Sequence, residues 1–208
     1  MAVRYKLIFY IYDFLDIIYF NREQYSPRTA LLSMLPNKQL RIADICAGTG
    51  SNSILIAKHR PDANITAIDL SKGMMNAANK KFKKAGVTNI NALIADAADT
   101  GVPNCSYDVA LLSFVLHEIN EDLRKRILFE VRRLLKDDGC LYVVEWEQPK
   151  RIAQRIKFSF NKLMEPKSFK EYMRLDLHNY FREQGFTIAK KKSCDYSQVL
   201  ELTKTQNV

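Results

Sequence analysis

A run of small residues lies between an apolar segment and a helical pattern, and its composition suits a nucleoside-type cofactor. The segment RIADICAGTGS occupies residues 41–51 and carries an acid, Asp44, before this run. Gly48 and Gly50 allow the backbone to approach a ligand closely, because glycine has no Cβ. The helix that begins near Asn52 offers free N–H groups and the positive end of its dipole to a carboxylate or a phosphate.

The glycine loop alone does not select one nucleotide. The dinucleotide fingerprint G-x-G-x-x-G is not met, since Ser53 stands where its third glycine would fall, and this disfavours NAD or FAD. No Gly-Lys-Ser/Thr follows the loop, which disfavours a P-loop nucleotide triphosphatase. A plain structural turn remains the alternative for the loop taken by itself.

Acidic or small polar residues end the apolar segments that follow at the spacing of βα units. Asp69 ends the second predicted strand, where an acid can accept hydrogen bonds from both hydroxyls of a ribose. Asp96 and Ala97 follow the third strand, and Ser113 ends the fourth. Open α/β sheets bind ligands at the carboxyl ends of their strands, so we expect these residues to share one site. The predicted strands are Leu40–Ile45, Asn64–Asp69, Asn89–Ala95, Tyr107–Ser113 and Cys140–Glu145.

In order and spacing, five segments resemble the class I S-adenosylmethionine-dependent methyltransferases. They are DICAGTG (44–50), AIDLSKGMM (67–75), IADA (94–97), YDVALLS (107–113) and LLKDDGCLY (134–142). The pattern DLSKGM from Asp69 and the pair Tyr12-Asp13 resemble the ubiquinone- and menaquinone-biosynthesis branch and its small-molecule relatives. One departure is Cys46, which stands where the family usually has the first of three alternating glycines.

The resemblance implies roles for the loop and for the strand ends. Asp69 would accept from the ribose diol, Leu70 would pack on the adenine, and Asp96 would accept from the adenine amine. Asp44 would hold the loop amides or the cofactor's amino group. Local structural roles remain the alternatives, since Asp44 could instead cap the next turn and Asp69 could cap the helix that starts near Lys72. The implied cofactor-binding residues are Asp44, Ala47, Gly48, Thr49, Gly50, Asp69, Leu70, Asp96, Ala97 and Ser113.

On the acceptor side, His117 is the candidate catalytic residue, because an imidazole pKa near neutrality suits a general base. The alternative is that His117 and Glu118 form a surface pair at the start of a helix. Trp146, at the end of the fifth strand, is expected either to line the acceptor pocket with Glu145 or to lie in the core. Asp108 is implied to be a structural strand acid.

Helical patterns alternate with the strands, which predicts a mostly parallel sheet covered by helices on both faces. The resemblance implies an α/β Rossmann-like sheet of seven strands that a C-terminal antiparallel hairpin completes. The hairpin strands are predicted at Phe186–Ala189 and Gln198–Thr203, with a turn at the basic run Lys190–Lys192, and Asp137–Gly139 is predicted to lead from a helix into strand five. The predicted helices are Tyr5–Asn21, Pro27–Leu35, Asn52–Lys58, Lys72–Ala85, Asn120–Leu135, Pro149–Leu163 and Ser168–Gln184.

The length of 208 residues predicts one domain with a full core. We expect residues 1–36 to form an N-terminal helical lid and residues 37–208 the methyltransferase domain. Within it, residues 148–184 would be a helical insertion over the acceptor site. The apolar stretch Leu7–Phe20 is too short for a membrane span and carries two aspartates, which also argue against a signal peptide.

A net charge of +9 favours a polyanion or an anionic membrane surface as a partner, with a solvated basic surface as the alternative. Four cysteines without a CxxC pair and three scattered histidines predict a reduced, cytoplasmic protein without a metal site. No nucleic acid is expected, since no recognition module is appended. A homodimer that forms through the apolar N-terminal helix is a further expectation.

Together these features predict methyl transfer from S-adenosyl-L-methionine to a small acceptor, lipid-like or aromatic, at carbon, oxygen or nitrogen. The cofactor carries an activated methyl group, so the protein mainly orients the reactants and excludes water. The alternatives are a non-catalytic relative that binds the cofactor or a partner, which Cys46 favours, and an RNA methyltransferase.

Overall fold

The computed structural model describes residues 26–149, Phe158 and residues 167–205. The predicted helix Tyr5–Asn21 and nearly all of Pro149–Leu163 lie outside the described residues. The helices are α1 (Pro27–Met34), α2 (Ser51–His59), α3 (Lys72–Ala85), α4 (Glu121–Leu134), α5 (Lys167–Tyr172) and α6 (Leu177–Glu183). The strands are β1 (Arg41–Ile45), β2 (Asn64–Asp69), β3 (Ile90–Ile94), β4 (Tyr107–Ser113), β5 (Leu135–Trp146), β6 (Phe186–Ser193) and β7 (Ser197–Lys204).

The strands form one seven-stranded sheet in the order β3-β2-β1-β4-β5-β7-β6. Strands β1 to β5 pair in parallel, and β7 runs antiparallel to both β5 and β6. The predicted α/β fold with its C-terminal hairpin is therefore confirmed. The strand order reverses between β1 and β4, which is the point where open α/β sheets form a ligand crevice.

Alternate residues of β1 point into two apolar layers, as expected for a parallel strand that is covered on both faces. Ala43 and Ile45 pack in the layer that includes residues of α4 and α6. Ile42 packs in the layer that includes Leu31 of α1 and Ile56 of α2. Full burial of a side chain such as Ile42 stabilises the fold by roughly 2 kcal/mol. The two layers hold the carboxyl ends of β1 and β4 side by side.

Two predicted elements differ from the structure in the C-terminal half. The predicted helix Ser168–Gln184 is divided into α5 and α6, because Asp176 caps the start of α6 by accepting from the amides of His178 and Asn179. The run Lys190–Lys192 lies within β6 and is not a turn. Exposed lysines suit this edge strand, since they discourage pairing with another chain.

The segment Asp137–Gly139 also differs, because it lies inside β5 and does not precede it. Tyr107 pairs with Leu135, whereas Val109 pairs with Cys140, so four residues of β5 bulge opposite one residue of β4. That one residue, Asp108, accepts from the Arg41 amide at 2.8 Å and from the Lys136 Nζ at 2.7 Å. The structural role expected for Asp108 is therefore confirmed.

The loop that joins β3 to β4 is fastened to α4 by the buried carboxylate of Glu130. Its Oε1 atom accepts from the amide of Thr100 at 2.8 Å and from the Thr100 hydroxyl at 2.6 Å. Arg133 donates to both carboxylate oxygens at 2.7 Å. The guanidinium of Arg133 and the hydrogen bonds from Thr100 lower the pKa of Glu130 from 4.5 to about 2.

We expect Glu130→Gln to lower the free energy of unfolding near neutral pH by about 2 kcal/mol, because charged hydrogen bonds are lost. The folded pKa is below the unfolded one, so the wild-type contribution is complete above about 4.5 and is lost as the pH falls toward about 2. Urea unfolding across this pH range measures the effect. Glu121→Gln, at an exposed helix pair, is the control, and acid limbs of equal slope in wild type and Glu130→Gln would contradict the prediction.

Candidate active site

A cavity of roughly 350 Å³ lies at the carboxyl ends of β1, β2 and β4. Of the residues predicted to bind the cofactor, Ala47, Gly48, Thr49, Asp69 and Ser113 line it. The cavity lining does not include Asp44, Gly50, Leu70, Asp96 or Ala97, and it does not include His117. The structure thus brings together half of the predicted set around one space.

The loop between β1 and α2 has left-handed backbone at three alternating residues. The φ angles are 58° at Cys46, 56° at Gly48 and 73° at Gly50. Cys46 therefore keeps the conformation that a glycine would adopt, although a side chain in this region costs roughly 1–2 kcal/mol. A Cβ at Gly50 would overlap the ring of Phe82 in α3. The backbone of the loop is thus preserved despite the departure at Cys46.

Asp44 lies beneath this loop and is only 2% exposed. Its carboxylate accepts from the Ser53 hydroxyl in the first turn of α2 at 2.6 Å. Burial raises the pKa of Asp44 to about 6, against the lowering effect of the hydrogen bonds from Ser53. This hydrogen bond is a local structural contact, which fits the alternative role of Asp44. A contact of Asp44 with the cofactor stays a prediction.

Asp69 connects the end of β2 to the glycine loop. One carboxylate oxygen accepts from the Gly48 amide at 2.9 Å, and the other accepts from the Ser71 amide at 2.8 Å. The start of α3 is capped by Ser71, not by Asp69. Each carboxylate oxygen retains a lone pair for a further donor, so the diol-binding role predicted for Asp69 fits its geometry.

Two apolar side chains next to Asp69 are exposed to an unusual degree. Leu70 is 69% exposed and Ile94 is 50% exposed. Ile94 pairs with Asp69 in the register of β2 and β3, so the two apolar groups flank the same strand ends. Such a pair can hold a planar ring. Sequence reasoning did not select Ile94, because the relevant signal is its register against Asp69 in the sheet.

Asp96 and Ala97 lie in the loop after β3. Asp96 is exposed, and its Oδ1 atom accepts from the Ala98 amide at 2.9 Å. Ala97 is buried at 7% exposure. These contacts shape the loop, and the adenine contacts predicted for both residues stay a prediction.

His117 is 3% exposed, so the predicted alternative of a surface pair is wrong for this residue. Its Nδ1 atom lies 2.7 Å from Oε2 of Glu145, which is fully buried. The other oxygen of Glu145 accepts from the Leu116 amide at 2.7 Å. The Nε2 atom of His117 is 3.9 Å from Oε1 of Glu118, a cavity-lining residue. Glu145 therefore orients the imidazole and does not line a pocket.

An aromatic cluster lies beside His117. Phe114 lines the cavity, and its ring centroid is 5.2 Å from that of Trp146. Trp146 packs with Phe158 and Phe169 and is 8% exposed, so it is a core residue, as the alternative held. The cavity wall on this side belongs to Phe114, and the sequence did not single it out.

Sequence reasoning also missed the contribution of α1. Pro27, Arg28 and Leu31 line the cavity and face the glycine loop. Among the described residues, no group of three His, Cys, Asp or Glu side chains could hold a metal ion. No described helix has both the length and the apolar character needed to span a membrane.

Residues 42–139 match a family model described as a methyltransferase domain. A demethylmenaquinone methyltransferase of Listeria monocytogenes is 27% identical over 74% of this chain and 73% of its own length. A SAM-dependent methyltransferase from Aquifex aeolicus has a TM-score of 0.67 at 19% identity, over 84% of this chain and 88% of its own. The 1,6-didemethyltoxoflavin-N1-methyltransferase of Burkholderia thailandensis, solved with S-adenosylhomocysteine, has a TM-score of 0.67 at 16% identity, over 98% and 88%.

We expect Gly50→Ala to destabilise the protein more than Gly86→Ala. Both glycines have left-handed backbone, and strain alone costs roughly 1–2 kcal/mol at either position. Open space surrounds Gly86, whereas a methyl group at Gly50 meets the Phe82 ring and adds about 1–3 kcal/mol. Chemical denaturation measures both variants, and equal losses of stability would contradict the packing argument.

Proposed function

We propose that this chain is a class I S-adenosylmethionine-dependent methyltransferase and that it methylates a small aromatic acceptor of the quinol type. The acceptor class is supported by the name of the Listeria relative and by the aromatic wall at Phe114. The observation that carries the proposal is the cavity between the glycine loop and the end of β4, because it adjoins both Asp69 and the aromatic cluster.

The residues around the cavity fit S-adenosylmethionine. Asp69 offers carboxylate oxygens to the ribose hydroxyls, and the exposed side chains of Leu70 and Ile94 offer apolar contact to the adenine. The left-handed loop brings the backbone of Gly48 to the cavity without a Cβ in the way. Arg28 supplies a positive charge for the carboxylate of the methionine part.

When bound, S-adenosylmethionine would supply an activated methyl group on a positively charged sulfur; a lone pair of the acceptor would form the new bond, and the electrons of the carbon–sulfur bond would stay on the sulfur. The chain must align the acceptor with the methyl group and exclude water. Phe114, Val115 and Ile119 provide apolar walls for this purpose.

We propose that His117 takes the proton that the acceptor loses. A carboxylate at Nδ1 requires that this nitrogen donate, which leaves the lone pair of Nε2 to take a proton. Nε2 faces the side of Glu118, next to the cavity wall. A hydroxyl acceptor of the quinol type would need such a base, whereas an acceptor that is already ionised would not.

The remaining expectations belong to the same proposal. A cytoplasmic protein that reaches an acceptor in the lipid phase would contact an anionic membrane surface, which the net charge of +9 favours. The lid at residues 1–36, the insertion at residues 148–184 and a homodimer stay predictions. The alternative of a non-catalytic relative loses its main support, because Cys46 keeps the backbone of a glycine.

Calorimetric titration with S-adenosylmethionine is expected to give micromolar affinity for the wild type. Asp69→Asn should weaken it by roughly tenfold, because the ribose loses charged hydrogen bonds. Asp62→Asn is the matched control, since Asp62 pairs with Arg60 and does not line the cavity. Equal affinities for wild type and Asp69→Asn would refute the assigned cofactor site.

Methyl transfer should be assayed with reduced naphthoquinols, with and without a prenyl tail. His117→Gln should lower kcat by roughly a hundredfold or more, while cofactor affinity is unchanged. A prenyl requirement would support the membrane-linked acceptor. Tight cofactor binding without product across the panel would favour the non-catalytic relative instead.

A further inference from the structure

We infer that Glu118 makes the cavity prefer the positively charged methyl donor over its neutral, demethylated product. The inference rests on the proposed function, because it concerns the same cavity. It assigns to this carboxylate the release of product and the sensitivity of the enzyme to the donor-to-product ratio. The donor and the product differ by one methyl group and one unit of charge, so a charged side chain near the sulfur can distinguish them.

Three charged residues line the cavity within the described part of the chain, and they lie on different sides. Arg28 comes from α1, Asp69 from the end of β2 and Glu118 from the turn after β4. Both oxygens of Asp69 already accept backbone hydrogen bonds from Gly48 and Ser71. Both carboxylates carry a negative charge, but only that of Glu118 lies at the β4 side of the cavity.

The β4 side is also where the reacting sulfur belongs. Asp69 fixes the ribose position at the end of β2, and the glycine loop occupies the end of β1. The proposed base, His117, lies beyond β4, with its Nε2 atom 3.9 Å from Oε1 of Glu118. A methyl group presented to an acceptor beside that base would lie at the β4 side of the cavity, which is the side that Glu118 lines.

Cys46 lines the same cavity and is affected by the charges around it. Burial, together with the negative charges of four carboxylates that include Asp69 and Glu118, raises the pKa of the Cys46 thiol to about 12. A region that opposes a thiolate favours a cation such as a sulfonium. The geometry and the potential thus agree.

The size of the effect is limited by solvent. The side chain of Glu118 is 39% exposed, so water screens its charge. A charge pair near a protein surface still favours association, and we expect Glu118 to contribute roughly a three- to tenfold preference. All contacts that donor and product share cancel in the ratio of their affinities.

Dissociation constants for three ligands test the inference: S-adenosylmethionine, S-adenosylhomocysteine and an analogue with an ammonium group in place of the sulfonium. Glu118→Gln should weaken both cationic ligands by roughly three- to tenfold and change the affinity for the thioether by less than about twofold. Glu118→Asp keeps the charge and should keep most of the preference. Glu121→Gln, at the exposed start of α4, removes the same charge away from the cavity and should leave all three affinities unchanged.

Two outcomes would overturn the inference. If Glu118→Gln weakens all three ligands equally, the side chain acts through shape and not through charge. If Glu118→Gln leaves the affinities for all three ligands unchanged, the charge has no effect at the sulfur. Both results leave the proposed cofactor site intact, whereas a wild type that binds none of the three ligands would refute the proposed function itself.

Discussion

The site depends on one backbone constraint: the chain passes from β1 into α2 through left-handed residues at 46, 48 and 50. This path leaves α2 without a side-chain hydrogen bond from its capping residue, Gly50. The loop is also joined to β2 and α3, because the Ala47 amide donates to Ile68 of β2 and the Lys81 side chain of α3 donates to Thr49. A shift of this loop would displace the end of β2 and the start of α2 together.

The buried acid beneath the loop lowers the stability of the folded protein at neutral pH. Burial raises the pKa of Asp44 to about 6. Ionising this carboxyl in the folded protein at neutral pH therefore costs roughly 3 kcal/mol of folding free energy relative to the unfolded chain. Glu130 acts in the opposite direction, because Arg133 stabilises its charge. The unfavourable buried charge thus lies at the ligand crevice, whereas an ion pair with complete hydrogen bonding holds the loop that leads into β4.

Local patterns in the sequence were enough for the elements that carry their own signals. Lys72–Ala85 has the predicted bounds because Ser71 caps its start and Gly86 ends it in left-handed backbone. β2 and β4 also have their predicted bounds, since apolar runs end at polar residues. The site residues that sequence reasoning placed wrongly depend on contacts between distant parts of the chain. His117, for example, is buried beside Glu145, which is 28 residues away, and no local pattern reveals that pairing.

The two halves of the cavity differ in how they are encoded. The cofactor side comes from one continuous loop and an acid 21 residues from Gly48, so a short motif and one spacing describe it. The proposed acceptor side combines the turn after β4 and the end of β5, which meet because the sheet order places β5 next to β4. A substitution at Phe114 can therefore change that side of the cavity without altering the motif. This separation explains why the sequence reveals the methyl donor more readily than the molecule that receives the methyl group.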